Sequence, residues 1–434
     1  MKHGAAISAA FAAIVSLWAG PAFAAPEGEF TYIVQPDDTL YHLARDYLLD
    51  PRSMSEVRST NRIRNPRRLQ IGQPIKIPRR LLKYEPVELT LQSFNGPVSI
   101  SRSGEELVAK IGQALREGSV ISTGANGFAA VGSQDGTLVT VPSNSRIQII
   151  DARHYVINEK IDVQIRVLEG RGEAKAPKIE GDARFRVGTP IAVTAVRGTE
   201  FRVAYSEIND LSLTEVIEGE VAVNQGDQSL IAALGEGVAA SPQGNLTSER
   251  LLNAPVLADG GRIQTDEQVK FSIEGIDGAT AYRTQLARDA GFIEIIDQTI
   301  STAPLAAFEG VEDGRYFVRS RGVAESGLEG FSRPYTFRRK RVGAEAGAEP
   351  SPFADSFKFG WRADGSGDSF HGFQLWNGAN PGSLLVDEVA IKKSAILIGD
   401  LPPGTYFWRV ATMQIDEGEV IKVWTPAQQF SVGE

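Results

Sequence analysis

Short apolar stretches separated by turn signals are the feature that most limits what this chain can fold into. Between Leu89 and Pro242 they recur at a spacing of roughly 8 to 12 residues, which is typical of all-β domains. The turn signals are Asn126-Gly127, Asp135-Gly136, Pro142-Ser143-Asn144 and Asn224-Gln225-Gly226. Helical periodicity is nearly absent here, so the pattern predicts a β-sandwich or a rolled barrel.

The most distinctive segment of this region is Val193–Val203, which reads Val-Thr-Ala-Val-Arg-Gly-Thr-Glu-Phe-Arg-Val. Together with Gly112–Gly124 and Gly219–Val221 it resembles the FecR domain, which we place at 89–242. Regulators of that family relay a signal from outer-membrane receptors across the inner membrane to a sigma factor. The membrane span and cytoplasmic segment that this task needs are not found here. The resemblance therefore implies a periplasmic β domain that contacts other envelope proteins.

We interpret the Arg-Gly-Thr-Glu-Phe stretch within this segment as structural. Gly198 suits a β-bulge or a tight corner, because glycine adopts backbone angles that other residues avoid. Phe201 and Val203 are expected to point inward, and Arg197 is expected to pair with Glu200.

The N-terminus has the pattern of a secretory signal peptide at 1–24. A short basic start is followed by the apolar run Ala5–Trp18, the breaker Gly20-Pro21 and the cleavage motif Ala22-Phe23-Ala24. No later stretch approaches the roughly 18 apolar residues of a membrane-spanning helix. We therefore expect a mature chain without a membrane span, located in the periplasm.

A small module follows at 30–79. Phe30–Val34 alternates as a strand does, and the apolar residues of Leu40–Tyr47 have helical spacing. Ser53–Glu56 is a capping box that opens a second helix, and Gln73–Pro78 has the pattern of a closing strand. The order β-α-α-β is the predicted fold of this module.

Tyr32-x-Val34, Asp38-Thr39-Leu40, Asn61 and Ile71-Gly72-Gln73 make this module resemble LysM. LysM modules bind polymers that contain N-acetylglucosamine, such as peptidoglycan and chitin, in a shallow groove between two loops. The resemblance implies that the groove residues are Asp38, Thr39, Leu40, Tyr41, Asn65, Pro66, Leu69, Gln70 and Ile71.

Two features leave the strength and mode of glycan binding open. Asp37 occupies a position where the LysM family usually has glycine, and aspartate tolerates turn geometry. A LysM fold without useful sugar binding therefore stays an alternative. Four arginines crowd the second loop, where they form either a site for the anionic peptide stems of peptidoglycan or an ordinary solvated face: Arg62, Arg64, Arg67 and Arg68.

The last third of the chain contains an internal repeat at an offset of about 90 residues. Gly314–Arg319 aligns with Gly404–Arg409, and Gln285-Leu286 aligns with Gln374-Leu375. Both copies resemble fibronectin type III-like sandwiches. The predicted segments are a first sandwich at 254–340, a linker at 341–352 and a second sandwich at 353–434. The whole chain is therefore expected to be mainly β and multidomain.

Composition excludes several classes of activity. The chain has no cysteine, which rules out a catalytic thiol, disulfides and thiolate metal sites, and its net charge of −9 argues against a nucleic-acid binder. His42, His154 and His371 fall in separate predicted domains, and no hydrolase, zinc-protease or phosphate-loop motif is found. Asp364–Asp368 is interpreted as a flexible hairpin loop rather than a calcium site. We expect no enzymatic activity, no metal and no cofactor.

These observations favour an exported, non-enzymatic envelope protein whose LysM module binds peptidoglycan glycan strands. The FecR-like domain and the two sandwiches then act as a scaffold. The alternative is a periplasmic signalling or assembly adaptor, in which the FecR-like domain recognises a protein partner and LysM only localises the chain.

Overall fold

The computed structural model of the protein describes residues 28–134, 136–176, 184–196, 198–258, 260–353, 355–378 and 383–433. The expected signal peptide, Asp135 of one predicted turn, and Arg197 with its expected pairing lie outside these residues. The chain divides into two compact units. The described part of the first unit is 28–85 together with 154–160, and the second unit contains the remainder.

The first unit contains the two helices of the described chain and one hairpin-like pair of strands. Its elements are β1 (Glu29–Ile33), α1 (Leu40–Tyr47), a 3-10 turn (Pro51–Ser53), α2 (Met54–Thr60), β2 (Pro74–Pro78) and a second 3-10 turn (Arg79–Leu81). Strands β1 and β2 pair antiparallel, from Glu29 opposite Pro78 to Ile33 opposite Pro74. The predicted β-α-α-β order of this module is confirmed.

Local sequence explains where these elements begin and how they pack. The Thr39 hydroxyl accepts a hydrogen bond from the His42 backbone N–H and so caps α1. Leu43 and Val57 turn inward from the two helices to meet Ile75 of β2. Asn61, just after α2, holds β2 in place, because its amide donates to the Lys76 carbonyl and accepts from the Lys76 N–H.

A central β-domain is built from a long series of mostly short strands. They are β3 (Tyr84–Pro86), β4 (Leu89–Asn95), β5 (Val98–Arg102), β6 (Glu105–Leu107), β7 (Ala114–Leu115), β8 (Ser119–Thr123), β9 (Phe128–Gly132), β10 (Leu138–Val141), β11 (Ser145–Tyr155), β12 (Lys160–Lys175), β13 (Arg184–Gly188), β14 (Val193–Val196), β15 (Glu200–Ser206), β16 (Leu211–Glu218), β17 (Glu220–Gln225), β18 (Gln228–Ala233), β19 (Glu236–Ala240) and β20 (Leu246–Arg250). The hydrogen-bonded pairings between these strands form a closed barrel. The domain belongs to the second unit, apart from Tyr84–Glu85 of β3 and the parts of β11 and β12 that lie within 154–160.

Strand β12 is long enough to belong to two sheets. Its first half pairs parallel with β13, whereas its second half, from Gly170 to Lys175, pairs antiparallel with β15. The inward residues of both sheets form one continuous core, which includes Ile149, Val167 and Val216. The chain is mainly β, as the turn spacing predicted.

The Arg-Gly-Thr-Glu-Phe stretch has the structural role expected for its described residues. Phe201 and Val203 are buried in the central core. The register between β15 and β16 shifts at Glu200/Phe201, as at a β-bulge, and Gly198 adopts a positive φ of 63°. Glu200 lies 3.7 Å from the ammonium nitrogen of Lys175.

Two β-sandwiches follow along the chain. The strands of the first are β21 (Ile263–Gln264), β22 (Val269–Ser272), β23 (Ala281–Ala287), β24 (Ile295–Ser301), β25 (Leu305–Phe308), β26 (Gly314–Val323) and β27 (Arg333–Arg339). The strands of the second are β28 (Gly343–Pro350), β29 (Ser356–Asp364), β30 (Ser369–Asn377), β31 (Leu384–Ile391), β32 (Ala395–Gly399), β33 (Gly404–Asp416), β34 (Glu419–Trp424) and β35 (Gln428–Val432).

The internal repeat corresponds to one shared strand pairing. Gln285 of β23 lies opposite Arg319 of β26, and Gln374 of β30 lies opposite Arg409 of β33. In both copies the guanidinium donates to the glutamine side-chain oxygen across the pair.

The prediction of a linker at 341–352 is wrong for most of its length. Gly343–Pro350 forms strand β28, which pairs antiparallel with β29 over its whole length. The Ala-, Gly- and Glu-rich composition has low β-propensity, but backbone hydrogen bonds to the aromatic-rich β29 decide the conformation. The hairpin loop predicted at Asp364–Asp368 follows β29, and Gly365 and Gly367 have positive φ there.

A buried network of ion pairs joins the central β-domain to the first sandwich. On the central side, Glu173, Arg202 and Glu215 lie opposite one another on the neighbouring strands β12, β15 and β16. On the sandwich side, Arg319 and Arg321 alternate along β26. The full network consists of Arg171, Glu173, Arg202, Glu215, Arg283, Arg319, Arg321 and Glu329.

Glu329, in the loop between β26 and β27, is the most enclosed member of this network. Its fully buried carboxylate lies 2.6 Å from Arg283 Nε, 3.2 Å from Arg171 Nε and 3.3 Å from Arg321 Nη1. Its backbone N–H donates to Glu215, and its carbonyl accepts from Arg202. Burial alone would raise the pKa of Glu329, but the surrounding arginines outweigh it and hold this pKa far below its usual range.

We expect Glu329→Gln to destabilise the second unit by about 3 kcal/mol, because it leaves buried arginines without their counter-charge. The matched control is Glu345→Gln, which removes a carboxylate from an exposed contact with Arg362 and should leave stability unchanged. Urea unfolding followed by circular dichroism measures both. Equal midpoints for the two variants would contradict a stabilising role for the network.

Acid should weaken the same network. The pKa values of Glu173 and Glu329 are lowered in the folded state, so the stability they contribute is complete above the ordinary carboxylate pKa. It is lost progressively as the pH falls from about 4.5 toward the lowered values. Unfolding midpoints measured between neutral pH and about pH 3 should therefore fall steeply, and less steeply in Glu329→Gln. If the unfolding midpoint depended on pH equally in the unaltered protein and in Glu329→Gln, Glu329 would not be a source of the acid sensitivity.

Candidate functional site

The two loops predicted to form the glycan groove lie side by side in the structure. The first joins β1 to α1, and the second joins α2 to β2. Leu40 N–H donates to the Pro66 carbonyl at 2.9 Å, Gly72 N–H to Val34 at 2.9 Å, and Val34 N–H to Gln73 at 3.1 Å. These backbone hydrogen bonds bring the two predicted walls together.

The polar side chains of the first loop mainly fix its shape. The Asp38 carboxylate accepts hydrogen bonds from the Tyr32 hydroxyl at 2.8 Å and from Gln35 N–H at 2.6 Å. Burial, and then the hydrogen bond to Asp38, raise the pKa of the Tyr32 phenol. Leu40 is 1% exposed and belongs to the core. Tyr41, the second residue of α1, is 47% exposed and is therefore accessible to a ligand.

In the second loop, too, some of the predicted residues stabilise the loop and others are exposed to solvent. Asn65 accepts a hydrogen bond from Arg67 N–H and closes a local turn. Pro66 and Leu69 are half-buried, and Leu69 packs against the core of the unit. Gln70 is exposed, and Ile71 is an exposed apolar side chain at 65%.

The backbone explains the unusual residue in the first loop. Asp37 has φ of 67°, in the left-handed region where glycine is free of strain. Aspartate visits this region more readily than most residues, which allows the loop to form without the glycine that the family usually has.

The second loop also carries a concentration of positive charge. Its four arginines are exposed and make no ion pair with any residue in the described ranges: Arg62, Arg64, Arg67 and Arg68. Because they are solvated, their attraction for an anion depends strongly on ionic strength. They lie in the same loop as the second predicted wall.

The exposed surface beside these loops is partly apolar. Acetamido groups need hydrogen-bonding partners beside apolar surface, and the exposed Tyr41 and Ile71 supply apolar surface next to loop backbone. Within the described ranges, no group of three or more histidine or acidic side chains is placed to hold a metal ion. The sequence did not reveal the Tyr32–Asp38 hydrogen bond, whose only signal was a tyrosine six residues before an acidic turn residue.

Comparison with known families covers two parts of the chain. The LysM domain model matches residues 32–78. This region is similar to LysM. The FecR protein model matches residues 119–222, within the central β-domain. Both families are non-catalytic and associated with the cell envelope. No curated protein matches the chain.

Solved structures resemble only portions of the chain. An anti-sigma factor from Parabacteroides distasonis is 20% identical with a TM-score of 0.26, over 30% of this chain and 59% of its own length. Fibronectin(III)-like modules of Clostridium thermocellum CbhA are 13% identical with a TM-score of 0.19, over 40% of this chain and 90% of theirs. At these TM-scores neither likeness supports a conclusion about function. No described helix is both long and apolar enough to span a membrane.

Asp37 gives a test of the first loop. We expect Asp37→Gly to stabilise the LysM-like region by about 0.5 kcal/mol, and Asp37→Ala to destabilise it by about 1 kcal/mol, because a methyl group is strained at positive φ. Hydrogen exchange at the Val34 and Leu40 amides, both bonded across the two loops, measures the local free energy of opening. Slower exchange in Asp37→Ala than in Asp37→Gly would contradict the backbone explanation.

Proposed function

We propose that the protein is an exported, non-enzymatic envelope protein that binds peptidoglycan glycan strands through its LysM-like region. The observation that carries this proposal is the pair of adjacent loops, held by backbone hydrogen bonds, with exposed Tyr41 at the start of α1 and exposed Ile71 in the second loop. The signal-peptide pattern at 1–24 and the envelope association of both matched families support a periplasmic location.

Affinity for a single glycan strand should be modest. A shallow surface buries little sugar, so the free energy gained from contact is small and must offset the entropy lost when the ligand is immobilised. Binding to an insoluble polymer with many repeats is therefore the appropriate measurement. We propose that the basic loop, Arg62–Arg68, adds attraction for the carboxylates of the peptide stems, so that binding weakens as salt rises.

In this proposal the rest of the chain is a scaffold. The ion pairs of Arg171 with Glu329 and of Glu173 with Arg319 and Arg321 fix the first sandwich against the central β-domain. The second sandwich follows directly through β28. A scaffold of this kind holds its outer surfaces in a fixed relation to one another.

Cosedimentation with purified peptidoglycan tests the proposal. Tyr41→Ala and Ile71→Ala should each weaken apparent binding by about fivefold or more, because each removes apolar surface from the proposed contact. Leu49→Ala is the matched control, since Leu49 is a similarly exposed apolar residue at the other end of α1. If the intact protein stays in the supernatant, or if Leu49→Ala is as defective as Ile71→Ala, the proposed site is wrong.

A second candidate function is that of a signalling or assembly adaptor. The FecR match over 119–222 favours it, because that region is separate from the LysM-like region and larger. Removing residues 26–83 distinguishes the two functions in cells. Loss of all activity supports wall attachment as the purpose, whereas reduced activity that recovers on overexpression supports partner recognition.

A further inference from the structure

A cleft of about 420 Å3 opens between the central β-domain and the first sandwich, at the edge of the buried ion network. Its polar lining includes Arg202, Arg319, Arg321 and Glu173. None of these residues belongs to the LysM-like region, so the cleft is independent of the proposed glycan site.

The network at this cleft contains more positive than negative charge. Among the described residues, the arginines at 171, 202, 283, 319 and 321 face the glutamates at 173, 215 and 329. Arg321 is 3% exposed, and its Nε–H has no acceptor among the described residues. Burial, together with the neighbouring Arg321, lowers the pKa of Arg319 to about 10. Burial also acts to lower the pKa of Arg321, but Glu173 outweighs it and raises this pKa, so Arg319 is the arginine at which an additional anion would be most favourable.

One carboxylate already shows how this surface binds an anion. Glu173 accepts from Arg319 Nη2 at 2.9 Å, and from Arg321 at 2.6 Å to Nη1 and 2.9 Å to Nη2. This two-pronged contact is the geometry in which guanidinium groups recognise carboxylates.

The cleft also has an apolar portion, beside the ion pair of Lys175 with Glu200 that lies in the same lining. Phe292, Phe331, Ile293 and Ile217 line this portion. The Arg319 guanidinium lies 4.1 Å from the centroid of the Phe292 ring, which fixes the cation beside the apolar surface. A ligand that fits both walls therefore has an anionic group and a hydrocarbon part.

We propose that this cleft binds a small organic carboxylate with an apolar body, its carboxylate at Arg319 and Arg321 and its apolar part against Phe292. Two sources have this chemistry, a free carboxylic acid and the C-terminus of a peptide that ends in an apolar residue. Inorganic phosphate has the charge without the apolar body, so it should bind more weakly.

The second sandwich supplies a matched control inside the same chain. Arg409 is the counterpart of Arg319 in the repeat, and it makes the equivalent contact with a glutamine, Gln374. It lies over the Trp424 ring at 4.4 Å and has no glutamate partner among the described ion pairs. Arg409→Gln should therefore leave binding at the cleft unchanged.

Titration of the full chain, labelled with 15N at arginine, follows binding through the Nε–H signals. The probes are 3-phenylpropanoate, its neutral amide, N-acetyl-Ala-Ala-Phe with a free C-terminus, and inorganic phosphate. We expect 3-phenylpropanoate to bind about tenfold more tightly than its amide and than phosphate. Tighter binding of the peptide assigns the ligand as a peptide C-terminus, and weaker binding assigns it as a free acid.

Two variants separate binding from folding. Arg319→Gln should weaken carboxylate binding by about tenfold or more. Ala290→Trp leaves the ion network intact and fills the cleft from an exposed position, so it should abolish binding in a normally folded protein. Equal affinity for acid and amide, preference for phosphate, absence of binding, or equal loss in Arg319→Gln and Arg409→Gln would each overturn the proposal.

Discussion

The pairing of buried glutamates with buried arginines is the interaction on which the second unit most depends. A carboxylate such as Glu329 is costly to remove from water, and it is tolerated only because Arg283, Arg171 and Arg321 surround it. Apolar contacts flank this network, including Leu213 and Leu251 packed with Leu328. Charge complementarity fixes one relative placement of the central β-domain and the first sandwich, and that placement creates the cleft.

The LysM-like region is organised by a different kind of constraint. Its two loops are joined through backbone hydrogen bonds, and most of the side chains predicted to bind glycan stabilise those loops. Asp38 fixes the first turn, Leu40 belongs to the core, and Asn65 closes the second turn. Exposed residues such as Tyr41 and Ile71 remain accessible to a ligand. A surface built in this way suits weak binding that is multiplied along a polymer.

The internal repeat shows how one strand pattern serves two purposes. In both copies, inward aromatic residues form the sandwich core, and an arginine pairs with a glutamine on the outer face. In the first copy Arg319 also binds Glu173 of the central β-domain. In the second copy Arg409 lies against Trp424 instead. The repeat therefore conserves the fold, and the surroundings of the outer face determine what the arginine does.

The sequence by itself determined the β-rich fold, the β-α-α-β module, the loops that face each other and the two repeated sandwiches. These features follow from periodicity, turn residues and capping, which act over a few neighbouring residues. Only the tertiary structure decided that Gly343–Pro350 is a strand, that Leu40 is inside, and that Glu173 meets Arg321. Each of these depends on residues that are distant in sequence. Gly343–Pro350 needs its partner strand β29, Leu40 needs the core around it, and Glu173 needs an arginine 148 residues away. Strand register and the packing of domains set these contacts, and a local sequence pattern does not contain that information.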